Sequence, residues 1–248
     1  MILHAPRTRP ESLRTRIASK PIWSAPFWVI EYPFEWMAYA LSRWAFLEVL
    51  EYLGSFGVLI AVVFYFSESG DRLKQKHYQA WQVINTAQGK GGNGGRVEAL
   101  EELNSDGITL IGVDLSGAFL QGVHLEKARL ARANFNAADA RNSDFRSADF
   151  STADLQSANF RESDLRNANF SNAGLKDADF AKANLGGADF TGATLDDAEL
   201  RHCDLQNIRW QKIQSIRKAN LFGVKNAPEG FVAWALQNGA MQTPHDNE

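Results

Sequence analysis

The residues in this chain whose types could do chemistry are its many carboxylates, one His–Cys pair and one glycine-rich loop. Asp and Asn recur at short, regular intervals between Asp114 and Asp204. Paired carboxylates can hold a cation or move protons. Asp and Asn also accept hydrogen bonds from backbone amides in turns, and the regular spacing favours that use. His202 and Cys203 are neighbours in the sequence. Successive side chains of extended backbone point to opposite sides, so His202 faces outward, Cys203 packs inward, and the two do not share a metal. The loop GKGGNGG, Gly89 to Gly95, offers amides to a phosphate. No glycine stands five residues before Gly89, and Gly91 follows Lys90 where Ser or Thr would hold magnesium. It reads as a flexible linker. No grouping of Ser, His and Asp suggests a nucleophile. The expectation is a non-enzymatic chain with no catalytic residues, no cofactor and no metal.

The chain has 248 residues, 45% of them apolar and 22% charged, with a formal net charge of −3. Near neutrality excludes a strongly basic nucleic-acid binder as the default. A single cysteine excludes a disulfide framework and a cysteine-rich zinc module. These averages conceal three compositionally different pieces.

From Ile108 the sequence repeats every five residues through 21 consecutive units, ITLIG VDLSG AFLQG to IRWQK. The third residue of each unit, its centre, is Leu or Phe in 19 units, the exceptions being Ala140 and Trp210. The first residue is Ala in 14 units, and the second is often Asp or Asn. A period of five fits neither a helix nor a flat strand, and a fixed internal repeat points to a solenoid. One small and one large inward residue per unit would line a narrow, filled tube, with the other three facing water. Centres 20 apart should stack: Leu110, Leu130, Phe150, Phe170, Phe190 and Trp210 in one column, and Leu120, Ala140, Phe160, Phe180 and Leu200 in another. At ~4.8 Å per coil, five coils give a rod of about 25 Å. Ala140 should leave a void unless Phe135, Phe145 or Phe160 leans in. After Trp210 the register slips by one, Leu221 arriving late, so a bulge is expected between Trp210 and Ile216. Pro228 suits a helix start and Gly239 a stop. Phe231, Trp234, Ala235 and Leu236 would plug the end of the stack. Residues 96–104, with Val97, Leu100 and Leu103 on one side, should cover the opposite end.

These units resemble the pentapeptide-repeat family, whose pattern is A(D/N)LXX, over about residues 108–222. The resemblance implies a right-handed quadrilateral β-helix, an all-β solenoid with four units per square coil. It also implies that the apolar end residues Phe231, Trp234, Ala235 and Leu236 could serve instead as a homodimer contact, as this end does in some members. It implies a choice of function as well, because quinolone-resistance members imitate DNA and bind DNA gyrase. Residues 106–222 carry 16 acids and 14 bases, a balance of −2, far from a phosphate-like rod. A DNA-mimicking, gyrase- or topoisomerase-binding protein is therefore the alternative rather than the preferred reading. Fourth-position arginines Arg141, Arg161 and Arg201 on one side, with Arg146 and Arg166 on the next, form a basic strip. Asp139, Asp144, Asp164 and Asp179 lie beside it. The strip reads either as a solvated salt-bridge ladder or as a docking face for an acidic partner.

The N-terminal third carries the membrane signals. Residues 1–20 are basic, and no apolar core or cleavage site follows as a signal peptide requires. Residues 21–66 hold four of the seven Trp and four of the five Tyr, types that favour the headgroup level. Pro21, Pro26 and Pro33 allow a long helix only after Pro33. From Tyr52 to Phe66 there is no charge. Those 15 residues fall short of the ~20 that cross a bilayer. Extension to Trp44 takes in Glu48 and Glu51, one turn apart. A transmembrane helix over 44–66, a monotopic or re-entrant helix, and a buried core helix all compete; the aromatics favour the first. Trp28, Trp36, Trp44, Glu48 and Glu51 are the candidate contacts to membrane lipid or to integral membrane subunits. Residues 68–88 form an amphipathic helix, resting on anionic lipid or packed on the repeat domain. Arg72, Lys74 and Lys76 after the apolar run favour a cytoplasmic repeat domain, at a bacterial inner membrane.

The expected organisation is a basic and aromatic segment over 1–43, the span at 44–66, and a helix, linker and cap over 67–107. The β-helix then occupies 108–225 and a capping helix and tail 226–248. The expected function is a membrane-anchored, non-enzymatic scaffold for protein–protein interaction, an accessory subunit of a larger membrane complex that binds no nucleic acid.

Overall fold

The computed structural model describes residues 7–19, 25–42, 45–67, 69–86 and 94–244. The helices are α1 (Leu13–Ser19), α2 (Ala25–Ser42), α3 (Ala45–Ser67), α4 (Ser69–Thr86), α5 (Arg96–Ser105) and α6 (Phe231–Gln237). The chain divides into two compact units, Met1–Arg72 and Leu73–Glu248, with the boundary inside α4.

In the second unit the five-residue repeat becomes a four-sided coil. Each unit ends in a β-turn. The amide of the next unit's first residue donates to the preceding centre's carbonyl, as Ala133 does to Leu130 at 3.0 Å. The fifth residue takes the left-handed conformation that such a turn requires, with φ +70 at Gly112, +57 at Thr152 and +60 at Glu162. Four turns bring the backbone round, and residues 20 apart pair in parallel, Asp114 with Asn134 and Asp154 with Gly174. The axial bonds run both ways: the Leu110 amide donates to Arg129 at 3.0 Å, and Asn134 to Val113 at 2.9 Å. The β character resides in single-residue bridges, because turns five residues apart leave no room for longer strands.

First and third positions point inward and are buried, except at the two ends, where Ile108 and Trp210 are half-buried. Phe150, Phe170 and Phe190 stack at 5.4 and 5.3 Å between centroids, and Phe160 lies 5.4 Å from Phe180. Around the small Ala140, Phe160 approaches Phe145 to 5.6 Å and Phe135 to 6.3 Å. Polar first-position residues are satisfied by the preceding coil. The Ser163 hydroxyl donates to Ala140 at 2.8 Å and the Cys203 thiol to Phe180 at 2.8 Å, which removes the penalty for burying them. Burial pushes the Cys203 thiol far up.

The bulge forms where the register slips. Asp189 still pairs with Arg209, 20 residues on, whereas Thr194 pairs with Ser215 and Glu199 with Asn220, 21 residues on. α6 begins after Pro228 rather than at it. Gly230 adopts φ +80 as its N-cap, and the Phe231 amide donates to Pro228 at 3.1 Å. Phe231 and Ala235 are buried, and Trp234 meets Trp210 at 5.3 Å. Leu236 remains exposed, so it is not part of the plug. Beyond Gly239, at φ +92, the chain returns to the ladder through an Asn220–Met241 bridge.

At the other end α5 buries Leu100 and Leu103 over the first coil. The second half of α4 packs there too: Ala80 and Ile84 are buried, and His77 Nε2 lies 2.8 Å from Asp106. This half of α4 therefore packs on the domain, and Leu73 near its start is exposed.

In the first unit, α2 starts at Ala25 and continues through Pro33, against the expectation that a helix begins only beyond it. Pro33 removes one amide donor, and both it and Val29, whose carbonyl is freed, are exposed to solvent. α3 has 23 residues, matching the expected helix, but no helix is long and apolar enough to cross a membrane among the described residues. Its charge-free stretch, residues 52–66, spans about 22 Å at ~1.5 Å per residue, short of a hydrocarbon core of ~30 Å.

Candidate interaction surfaces

The repeat geometry sets the surface chemistry. Second-position Asp and Asn side chains accept from the amide two residues on: Asp114 from Ser116 at 3.1 Å, Asn134 from Asn136 at 3.0 Å and Asp149 from Ser151 at 3.0 Å. The carboxylates that suggested cation or acid–base chemistry therefore close turns. No group of three or more His, Cys, Asp or Glu could hold a metal among the described residues.

The five strip arginines sit beside these turn carboxylates. Arg141 binds Asp139 through two nitrogens, both at 2.7 Å. Arg146 binds Asp144 at 2.7 Å and reaches Glu126 of the preceding coil at 3.0 Å. Arg166 binds Asp164 at 2.6 Å. Arg161 reaches Asp179 of the following coil at 3.4 Å. These contacts have electrostatic effect: the guanidinium of Arg141 holds Asp139 below the usual carboxylate range, and Arg146 does so for Asp144. Arg201 differs from the others. Its side chain is only 6% exposed, with Nε 3.0 Å from Glu199.

Asp196, at the bulge, was not apparent from the sequence as a site. It accepts from the Arg217 amide at 2.9 Å, from Arg217 Nη2 at 2.6 Å and from the Ser215 hydroxyl. These donors, Arg217 first, lower its pKa to about 2. The bulge itself was the only sequence signal for this clamp. Clefts are shallow: one of about 310 Å³ lies between α4 and α5, lined by Lys76, Gln79, Val83 and Glu98 among others, and one of about 240 Å³ lies at Asp196 and Arg217.

Of the N-terminal candidates, Trp36 is half-buried, edge-on to Tyr39 at 5.7 Å with the Arg9 guanidinium 5.6 Å from its ring. Arg16 of α1 forms an ion pair with Glu35 of α2 and lies over Tyr32 at 5.8 Å. Trp36 thus packs among Tyr32 and Tyr39 of its own helix and Arg9 of the segment before α1. Trp28 lies in α2 and Glu48 and Glu51 in α3. Trp44 and most of the glycine loop, Gly89 to Asn93, lie outside the described residues.

Residues 109–146 match a family model described as pentapeptide repeats (8 copies), and residues 141–210 one described as a pentapeptide repeat region. Among solved structures, the chain is similar to HetL from the cyanobacterium Nostoc, a pentapeptide repeat protein involved in heterocyst differentiation regulation. Identity is 26% over 48% of this chain and 60% of HetL, with a TM-score of 0.35. A second Nostoc pentapeptide repeat protein shares 25% identity over 59% of this chain and 95% of that one, with a TM-score of 0.34. QnrB1, a plasmid-mediated fluoroquinolone resistance protein, shares 19% over 53% and 76%, with a TM-score of 0.30. Superpositions at these scores add nothing to the assignment. No curated protein matches the chain. The matched repeats and the bridge every 20 residues carry the identification together: residues 109–210 of this chain are a pentapeptide-repeat domain.

Proposed function

We propose that this chain is a membrane-held, non-enzymatic scaffold, an accessory subunit whose repeat rod presents flat faces to protein partners. One observation carries the membrane part. In α3, Phe56, Val58, Leu59, Val62, Val63, Phe64 and Tyr65 are all exposed. At ~100° per residue these positions point in every direction around the helix. A helix that is apolar all round belongs in a protein core or in lipid, and the repeat core is already closed by its own caps. α3 therefore seats its apolar half in the bilayer, and the basic residues after it keep the rod on the cytoplasmic side.

The scaffold part follows from the surface. The rod is filled with side chains, its clefts are shallow, and its carboxylates are engaged in turns and arginine pairs. That engagement also disfavours imitation of DNA, which needs a continuous field of unpaired negative charge.

Fractionation tests the reading. The full chain should pellet with membranes, resist alkaline carbonate and come out with detergent. A Leu59→Asp, Val63→Asp variant should move to the soluble fraction with its repeat domain intact by circular dichroism. Recovery of the unmodified chain in the soluble fraction without detergent would overturn it. The detergent extract should contain integral membrane subunits that co-purify with the chain.

A further inference from the structure

α2 presents two opposite sides. Tyr32, Glu35, Trp36 and Tyr39 are half-buried: Arg16 of α1 pairs with Glu35 and lies over Tyr32, and Arg9, in the segment before α1, lies over Trp36. On the other side Ile30, Phe34, Met37 and Leu41 are exposed, three of them by more than half. Their spacing of four, three and four residues places them within an arc of roughly 60°, facing directly away from α1. A stripe this narrow and this apolar on a helix already backed by another is unfinished as an element of a water-soluble structure.

The charges nearby identify the occupant. Arg7, Arg9 and Arg14 around α1 are exposed, against the single acid Glu11. Packed helices lie ~8–10 Å apart. If the stripe of α2 rests on the acyl chains, α1 therefore rides about one helix diameter higher, at the depth of the phosphates, since the headgroup region adds roughly 5–8 Å to each leaflet. Arg16 Nη1 and Trp36 Nε1 are two buried donors without a hydrogen-bond partner on the side of α2 opposite the stripe.

We propose that α1 and α2 form an interfacial unit that binds an anionic lipid surface, α2 lying in the membrane plane on Ile30, Phe34, Met37 and Leu41 while the arginines around α1 engage lipid phosphates. This rests on the membrane-held reading, to which it adds lipid class and orientation. It gives the protein a preference among membranes that α3, an apolar helix indifferent to headgroup charge, does not supply. A second copy or a partner helix seated on the same stripe is the competing occupant.

The full chain lends itself to site-directed labelling, because its single native cysteine, Cys203, is fully buried. An environment-sensitive fluorophore is attached at Met37→Cys on the stripe and, separately, at Glu31→Cys on the flank. Each protein is reconstituted into phosphatidylcholine vesicles with and without phosphatidylglycerol. The Met37 label should be quenched by lipids brominated in the acyl chain when phosphatidylglycerol is present, and the Glu31 label by aqueous iodide. Arg7→Gln with Arg14→Gln should raise the phosphatidylglycerol content needed for half-maximal acyl quenching severalfold, since each basic residue near an anionic surface strengthens attachment. A chain that floats with vesicles while the Met37 label stays open to iodide overturns this inference alone. So does acyl quenching that is equal in neutral vesicles, or protection that grows with protein concentration and not with anionic lipid. A chain that floats with no vesicle of either kind overturns both this inference and the function proposed above.

Discussion

Left-handed backbone is the local condition on which every coil turns. Among the described residues, seventeen other than glycine hold it, from Lys127 to Asn226, with φ between +53 and +63. For an ordinary side chain this conformation costs about 1–2 kcal/mol, and Asn tolerates it better. Glu162→Asn should therefore stabilise the domain by about 0.5–1 kcal/mol, read as a rise in Tm. Glycine is required for a further reason at Gly187. Its φ is +75, and a Cβ there would stand 2.3 Å from the Asn167 Oδ1 of the preceding coil. Gly187→Ala should cost about 1–3 kcal/mol, with part restored by Asn167→Gly, because backbone and overlap penalties add.

Asp196 is the second residue-scale case. Its pKa falls from an ordinary 3.8 to about 2 in the folded chain. A depressed carboxylate contributes stability above its unfolded pKa and loses it as the pH falls through the folded one. With 16% of the side chain exposed, that contribution is about 2 kcal/mol. Asp196→Asn should melt earlier than the parent at pH 7, and the gap should close between about pH 4 and pH 2. A gap that persists at pH 2 would mean that packing, not charge, holds the bulge.

Among the elements, the coil was legible in the sequence because its inward residues are marked by type. A Phe or Leu centre and a small first residue recur without a break long enough to lose the phase. Trp210 and the late Leu221 even disclosed the bulge. Features set by contacts between distant residues were not legible. Arg16 and Glu35 are 19 apart and carry no pattern that announces a pair. Pro33 read as a break because the sequence does not show that the carbonyl it frees would face solvent. Leu236 read as a plug residue because helical spacing alone does not reveal which of two apolar sides Trp210 covers. The low exposure of Arg201, beside four strip arginines that are more open to solvent, likewise has no pattern in the sequence that announces it. The stacked rings give a test at this scale: Phe170→Ala should cost about 3–5 kcal/mol, and Phe170→Asp should abolish the cooperative melt by burying an unpaired charge. A Phe170→Asp protein that melts like the parent would refute the filled interior.

For the whole molecule, the repeat domain is one-dimensional: each coil touches only the coils before and after it, and its stability is a sum over neighbours. Deleting residues 151–170 removes one full circuit and leaves every column in phase. The shortened chain should fold with both caps intact and a lower Tm. Its loss of β signal should match one coil, and loss of all of it would mean that the coils do not stack independently of their number.

The axial hydrogen bonds give the domain a mechanical direction. Tension along the rod loads only the few bonds around one coil at a time, so it peels the structure one circuit after another at modest force. Sideways load is shared by many rungs in parallel. The chain that leads to α3 enters through α4, and the first joint to bear a pull from that side is the Ile84 and His77 seam, not the Phe column. A pull on α4 from its N-terminal end would therefore detach the end cover and bare the first coil's edge before the interior yielded.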